Sequence, residues 1–192
     1  TGAGKSTLHA TIVAQFRRYR SRVRGDGTTL PASVIAFDKG RSLYALCEAT
    51  GGVHYDIGND EGHSPALAPL IDVESDAEAL WAEDWIATCF ELQARKPPTP
   101  AQRSEIHRAV LLLREAPRNG RSLTDFCTTV QDSEVREALG HYTISGSMGH
   151  LLDGSDDTIS ISSFTVFEID ELMKMGEANA IPVLLYLFRR FE

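Results

Sequence analysis

The sequence has 192 residues, 42% hydrophobic and 24% charged, close to folded-domain averages and far from the low-hydrophobicity, high-charge composition of disordered chains. A net charge of -8 excludes wholesale wrapping of nucleic acid, which needs concentrated Lys and Arg to release counterions from phosphates, so any polynucleotide contact must be local. Cys47, Cys89 and Cys127 match no metal or disulfide framework and read as reduced, cytosolic core residues; the histidines lack zinc spacing, and the longest apolar run, 181–188, is too short for a membrane span of about 20 residues. The first residue is Thr1 rather than Met, so the expectation is a chain that begins inside a longer reading frame.

In chain order, the first segment reads as a loop leading into an amphipathic helix, with Leu8, Ile12, Phe16 and Tyr19 at helical spacing until Gly25 and Gly27. Residues 33–37 form a short apolar run ending in Asp38, which suits a buried parallel strand presenting a carboxylate at its end. Gly51 and Gly52 turn the chain into a second short strand at 53–57. From Ser75 the pattern becomes helical. Ser75 and Glu78 make a capping box ahead of a helix carrying Trp81, Trp85, Cys89 and Leu92 on one face. Pro97 and Pro98 stop it, and Thr99, Pro100 and Gln102 start another with Ile106, Val110 and Leu113. Two shorter helices follow at 122–130 and 133–139. Beyond them the patterning predicts a β segment at 158–162, a helix at 167–173, and a last helix at 183–191 with Pro182 as its first residue.

The chemistry lies at the start. Thr1-Gly2-Ala3-Gly4-Lys5-Ser6-Thr7 matches all but the first two residues of the phosphate-binding pattern GxxxxGK[ST], the Walker A motif. Glycines let backbone N–H groups approach and cradle phosphates, and the helix that follows aims its positive end at them. Lys5 would reach the β- and γ-phosphates of ATP, Ser6 would ligate Mg2+, and Thr7 would lie near the α-phosphate. Asp38 either helps organise this loop and its Mg2+ shell or caps a turn; both readings are open.

Beyond the loop, an ordered series of stretches resembles the TrbE-type ATPases of bacterial conjugation and type IV secretion. The series comprises Ala36-Phe37-Asp38-Lys39-Gly40-Arg41-Ser42, Gly51-Gly52, Ala68-Pro69-Leu70, Arg121-Ser122-Leu123-Thr124 and Gln131-Asp132. It continues through 142–149, Leu151-Leu152-Asp153, Val166-Phe167-Glu168 and the run 182–192. The resemblance covers nearly the whole chain. It implies an α/β fold: a RecA-like P-loop NTPase domain fragment with an α-helical insertion. The implied layout is 1–74 as the N-terminal part of the NTPase domain, 75–150 as the insertion and 151–192 as the return to the core. It further implies ATP and Mg2+ as cofactors, and sister subunits in a homo-oligomer, often a hexamer, as partners. Other secretion components are further implied partners, at the cytoplasmic face of the inner membrane.

Asp170 and Glu171 tempt a Walker B assignment, yet Glu168 interrupts the apolar run such a strand requires, and burying its charge unpaired would cost several kcal/mol. The expectation is an amphipathic helix with exposed acids, and the resemblance places the true Walker B strand after the run 182–192. Arg17, Arg18, Arg20, Arg22 and Arg24 read as a solvated helix end, with local DNA contact as the alternative. Asp153, Asp156 and Asp157 lack calcium-loop order and read as turn residues; Trp81 and Trp85 read as core. A DNA-pumping translocase of the HerA and FtsK type, or a non-catalytic assembly module, are the competing functions.

Overall fold

The computed structural model describes residues 4–16, 18–22, 29–59 and 64–191. Thr1, Gly2, Ala3, Arg17, Arg24 and the Gly25 and Gly27 break lie outside the described residues. In chain order the elements are α1 Lys5–Phe16, β1 Arg20–Arg22, β2 Thr29–Pro31, β3 Val34–Asp38, α2 Tyr44–Ala49 and β4 Val53–Asp56. Then come α3 Asp76–Ala94, α4 Pro100–Glu115, α5 Leu123–Thr129, α6 Ser133–Gly140 and α7 Gly149–Leu152. The chain closes with β5 Phe164–Glu168, α8 Asp170–Lys174 and α9 Glu177–Arg189. Contacts divide it into a sheet unit, built from the described residues of 1–64 and from 160–174, and a helical unit, built from 65–159 and the described part of 175–192.

In the sheet unit, β5 lies between β3 and β4 and runs parallel to both. All five of its residues are buried, as expected for a parallel strand with neighbours on both sides. Phe37, Phe167 and Tyr55 share one register row, and their rings stack at 5.5 Å centroid spacing on either side of Phe167. Gly52 lets the chain pass close beneath β5: a Cβ there would meet the Cys47 sulfur and the Phe164 carbonyl, each at 2.7 Å. Val13 of α1 completes a small core with Ala36, Leu43, Cys47, Phe164 and Val166.

Three expectations fail in this unit. The β segment expected at 158–162 is irregular, and the strand is instead 164–168, so the helix expected at 167–173 starts only at Asp170. The stretch 164–167 is fully buried, and Glu168 joins it because backbone donors satisfy its charge. The first helix ends at Phe16, and Arg20 and Arg22 lie on β1, paired antiparallel with β2, so the helix-end account of these two arginines does not apply. Leu8, Ile12 and Phe16 do not form the inward face of α1; they are exposed, and Val13 with Ala10 points to the sheet.

In the helical unit, α3 packs against α4, α6 and α9 around Trp85, Phe90, Ile106, Phe126, Leu139 and Leu187. The two expected capping boxes form, Ser75 with Glu78 and Thr99 with Gln102, and Ser122 with Asp125 adds a third. Trp85 is core, donating its indole N–H to the Pro182 carbonyl at 3.0 Å, and Trp81 stacks on it at 6.1 Å. Asp153 is more than a turn residue. It is buried and accepts the Thr124 N–H at 3.1 Å, the Thr124 hydroxyl and the Ile144 N–H at 2.7 Å, tying α5 to the chain ahead of α7.

Pro182 lies inside α9, which begins at Glu177, and not at its first position. Proline has no N–H to give the carbonyl four residues earlier, that of Ala178. The Tyr142 hydroxyl donates to that carbonyl instead, at 2.6 Å.

Candidate functional site

The carboxyl edge of the parallel sheet is where ligands bind in open α/β folds, because loops diverge there and helix amino ends converge. The Ala32 N–H donates to the Tyr19 carbonyl at 2.9 Å, so the chain leaving α1 sits at the amino end of β3. A helix of 12 residues is about 18 Å long and a strand of five about 16 Å. With Ala10 and Val13 lying on the sheet, the amino end of α1 therefore returns to the level of Asp38, on the carboxyl edge.

Gly4 enters α1 with a φ of 94°, which only glycine adopts without strain, and its carbonyl accepts the Leu8 N–H at 2.9 Å. Lys5, Ser6 and Thr7 form the exposed first turn. That turn carries no acidic residue, so the unpaired N–H groups, the helix dipole and the Lys5 ammonium all favour an anion. Thr1, Gly2 and Ala3, the remaining members of the expected loop, lie outside the described residues.

Asp38, Glu168 and Asp56 occupy one register row at the ends of β3, β5 and β4. Asp38 accepts the Lys39 N–H at 2.9 Å and the Ser42 hydroxyl at 2.6 Å on one oxygen, and the Leu43 N–H at 2.7 Å on the other. Its observed partners are thus those of a turn cap. Glu168, 5% exposed, accepts N–H groups from Gly40 and Asp170, both at 3.0 Å, and from Arg41. Sequence reasoning missed this residue; the apolar run Phe164-Thr165-Val166-Phe167 directly before it was the available signal of a strand end. Asp56 pairs with Arg41 at 2.6 Å.

Outside this row, Lys174 binds Asp170 at 2.7 Å and Glu171 at 2.8 Å, and Lys39 stands 3.6 Å from Asp170. The hydrogen bond from Lys174 holds the Asp170 carboxyl below its ordinary range. Gly40, Arg41, Asp56, Asn59, Glu168 and Asp170 line most of a recess of about 450 Å³. Among the described residues no three His, Cys, Asp or Glu side chains converge as a metal site, so the Ser6 hydroxyl in the open first turn of α1 is the group here that fits an Mg2+ shell. Also among the described residues, no helix is long and apolar enough to cross a membrane.

No family model matches the chain. It is 49% identical over 195 residues to a probable conjugal transfer protein TrbE of Sinorhizobium fredii (strain NBRC 101917 / NGR234), covering all of this chain and 28% of that protein. It is 45% identical over 197 residues to "Conjugal transfer protein TrbE" of Rhizobium radiobacter, again over the whole chain and 22% of the relative. "Protein virB4" of Agrobacterium fabrum (strain C58 / ATCC 33970) is 26% identical over 193 residues, covering 98% of this chain and 23% of that protein. The chain thus spans about a quarter of the length of the curated relatives it matches. Among solved structures, VirB4 of Thermoanaerobacter pseudethanolicus superposes with a TM-score of 0.67 at 17% identity, over all of this chain and 54% of that one. The α/β fold with its parallel sheet is therefore of the RecA-like NTPase type.

Proposed function

This chain is a TrbE-family sequence along its whole length, and from that premise we propose that it is the nucleotide-binding part of an ATP-hydrolysing motor for conjugative transfer, of the type IV secretion class. The observation that carries the reading is the position of Gly4, Lys5 and Ser6 at the exposed amino end of α1, on the carboxyl edge of a parallel sheet. In this reading the backbone from Thr1 to Gly4 cradles the phosphates, Lys5 neutralises the β- and γ-phosphates, and Thr7 lies toward the α-phosphate. Ser6 would hold Mg2+, which when bound neutralises charge on the transferring phosphoryl group. Asp38 serves the site by shaping the turn after β3. Asp170 and Glu171 are engaged by Lys174, so the water-activating acid is assigned to a part of the motor beyond residue 192.

The motor works as a homo-oligomer of sister subunits, peripheral to the cytoplasmic face of the inner membrane and in contact with other secretion components. The arginines of 17–24 are the place for any local DNA contact. Steady-state ATPase assays on the full-length protein that contains this chain test the reading. Lys5→Ala abolishes turnover, Ser6→Ala weakens the dependence on Mg2+, and Asp170→Asn and Glu171→Gln change little. The 192-residue chain by itself binds nucleotide weakly and hydrolyses it no faster than background. Full turnover in Lys5→Ala would sink the proposal, and near-complete loss in a folded, oligomeric Glu171→Gln would make Glu171 the base. Turnover that rises steeply with double-stranded DNA would move the reading to a DNA translocase.

A further inference from the structure

We propose that Glu168 is a positioning residue: from the central strand it fixes the turn between β3 and α2 so that Lys39 stands at the sheet edge as a second cation for nucleotide phosphates. The inference rests on the nucleotide reading above, and three observations lead to it.

A carboxylate at the end of a buried central strand needs compensation. Glu168 draws it from the backbone N–H groups of Gly40, Arg41 and Asp170. Two of these donors belong to the turn that follows the neighbouring strand, so the acid acts as a strut between β5 and that turn. Asp38 completes the hold from inside the turn through Lys39, Ser42 and Leu43.

The held backbone is unusual. Gly40 and Arg41 have φ of 87° and 55°, and an arginine adopts that left-handed region only where its surroundings outweigh the cost. The bond from the Arg41 N–H to Glu168 supplies that compensation at the same residue.

The turn carries two cations with different engagements. Arg41 is tied to Asp56 at 2.6 Å. The Lys39 side chain is 67% exposed, and its ammonium stands 3.6 Å from an Asp170 carboxylate that Lys174 already holds at 2.7 Å. Lys39 is therefore the cation able to trade partners when an anion arrives, and it sits on the edge to which the amino end of α1 and Lys5 return. A cation fixed before the anion arrives stabilises developing charge without reorganising at the moment of reaction.

The test uses the full-length protein. Lys39→Ala and Glu168→Gln each lower kcat for ATP about tenfold or more with KM within about threefold, the pattern of a contact made in the transition state. Glu168 acts through Lys39, so the double variant falls no further than the weaker single. Wild-type kcat in Lys39→Ala, or losses that multiply in the double variant, overturns the inference. Should Glu168→Gln fail to fold, the exposed Lys39 carries the test alone: loss in Lys39→Ala with recovery in Lys39→Arg supports it, and no loss overturns it. Lys5→Ala assayed in parallel separates the two proposals. Retained turnover there defeats the nucleotide reading, whereas abolished turnover beside an unchanged Lys39→Ala defeats the Lys39 assignment only.

Discussion

Three carboxylates abreast at the ends of β3, β5 and β4 would repel one another in a bare sheet, and each is neutralised by a different device. Asp38 takes a turn, Glu168 takes backbone N–H groups and Asp56 takes Arg41. An acid on the surface of the helical unit shows the same principle with a measurable consequence. Glu105 accepts from Arg108 at 2.7 and 3.0 Å and from the Gln131 N–H at 2.6 Å. The Arg108 hydrogen bonds, then the Gln131 N–H, lower its pKa from the usual 4.5 to about 2. A depressed carboxyl contributes stability that is full above its unfolded pKa and disappears as pH falls through the folded one. Between about 4.5 and about 2, then, the helical unit loses stability that Glu105→Gln cannot lose. Urea midpoints read by fluorescence of Trp81 and Trp85, both in this unit, converge for the two proteins as pH approaches 2 and separate above 4.5. Parallel midpoints across that range would rule the ion pair out as a contributor. Added salt narrows the gap, since the pair is exposed.

Among the elements, α9 depends on a side chain from outside itself. Pro182 leaves the Ala178 carbonyl without its helical partner, and Tyr142, on the chain after α6, supplies the missing donor. The same hydroxyl accepts from Gln93 of α3 at 3.0 Å, so one phenol joins three segments of the helical unit. Burial raises the Tyr142 pKa, which keeps the donor proton in place through the physiological range. Tyr142→Phe strands a buried carbonyl and costs about 1–3 kcal/mol. In a Pro182→Ala background the restored amide N–H takes over that carbonyl, and the cost of Tyr142→Phe shrinks. A double-mutant cycle in urea measures the difference; equal costs in both backgrounds would show that the hydroxyl does not replace the proline's missing bond. Ser75→Ala at the head of α3 removes half of a capping box and costs about 1 kcal/mol by the same measurement.

Across the whole molecule the two units differ in how completely they cover their apolar residues. The sheet unit closes a core of six side chains and leaves Leu8, Ile12, Phe16 and Tyr19 exposed along and just beyond α1. Its described parallel strands also end in open edges at β3 and β4, where unpaired backbone invites association. The helical unit encloses Trp85, Phe90, Phe126 and Tyr142 and caps three of its helices with reciprocal boxes. The 192-residue chain studied alone is accordingly expected to be partly folded or prone to aggregate, with the helical unit its most stable portion. Amide exchange checks this: slow exchange in α3 beside fast exchange in 34–37 is the expected pattern. A sharp monomeric melt with 34–37 protected would contradict it.

Local signals carried a great deal of this protein. The phosphate-loop pattern, the strand ending in Asp38, the boxes at Ser75 and Thr99 and the long helices behind them are legible in the sequence because each depends on residues within one turn or strand of one another. Similarity to the TrbE proteins rests on the same linear order. Tertiary structure decided what depends on distant partners. Glu168 looked like an interruption because the N–H groups that make its burial tolerable lie 127 and 128 residues away. Pro182 looked like a helix start because the hydroxyl that lets it sit inside α9 belongs to Tyr142. In α1, helical spacing could not say which apolar stripe faces inward; the sheet took Ala10 and Val13 because β3, α2 and β5 pack on that side. A charge, a proline or an apolar stripe has a meaning set by its surroundings, and those surroundings exist only after the chain has folded.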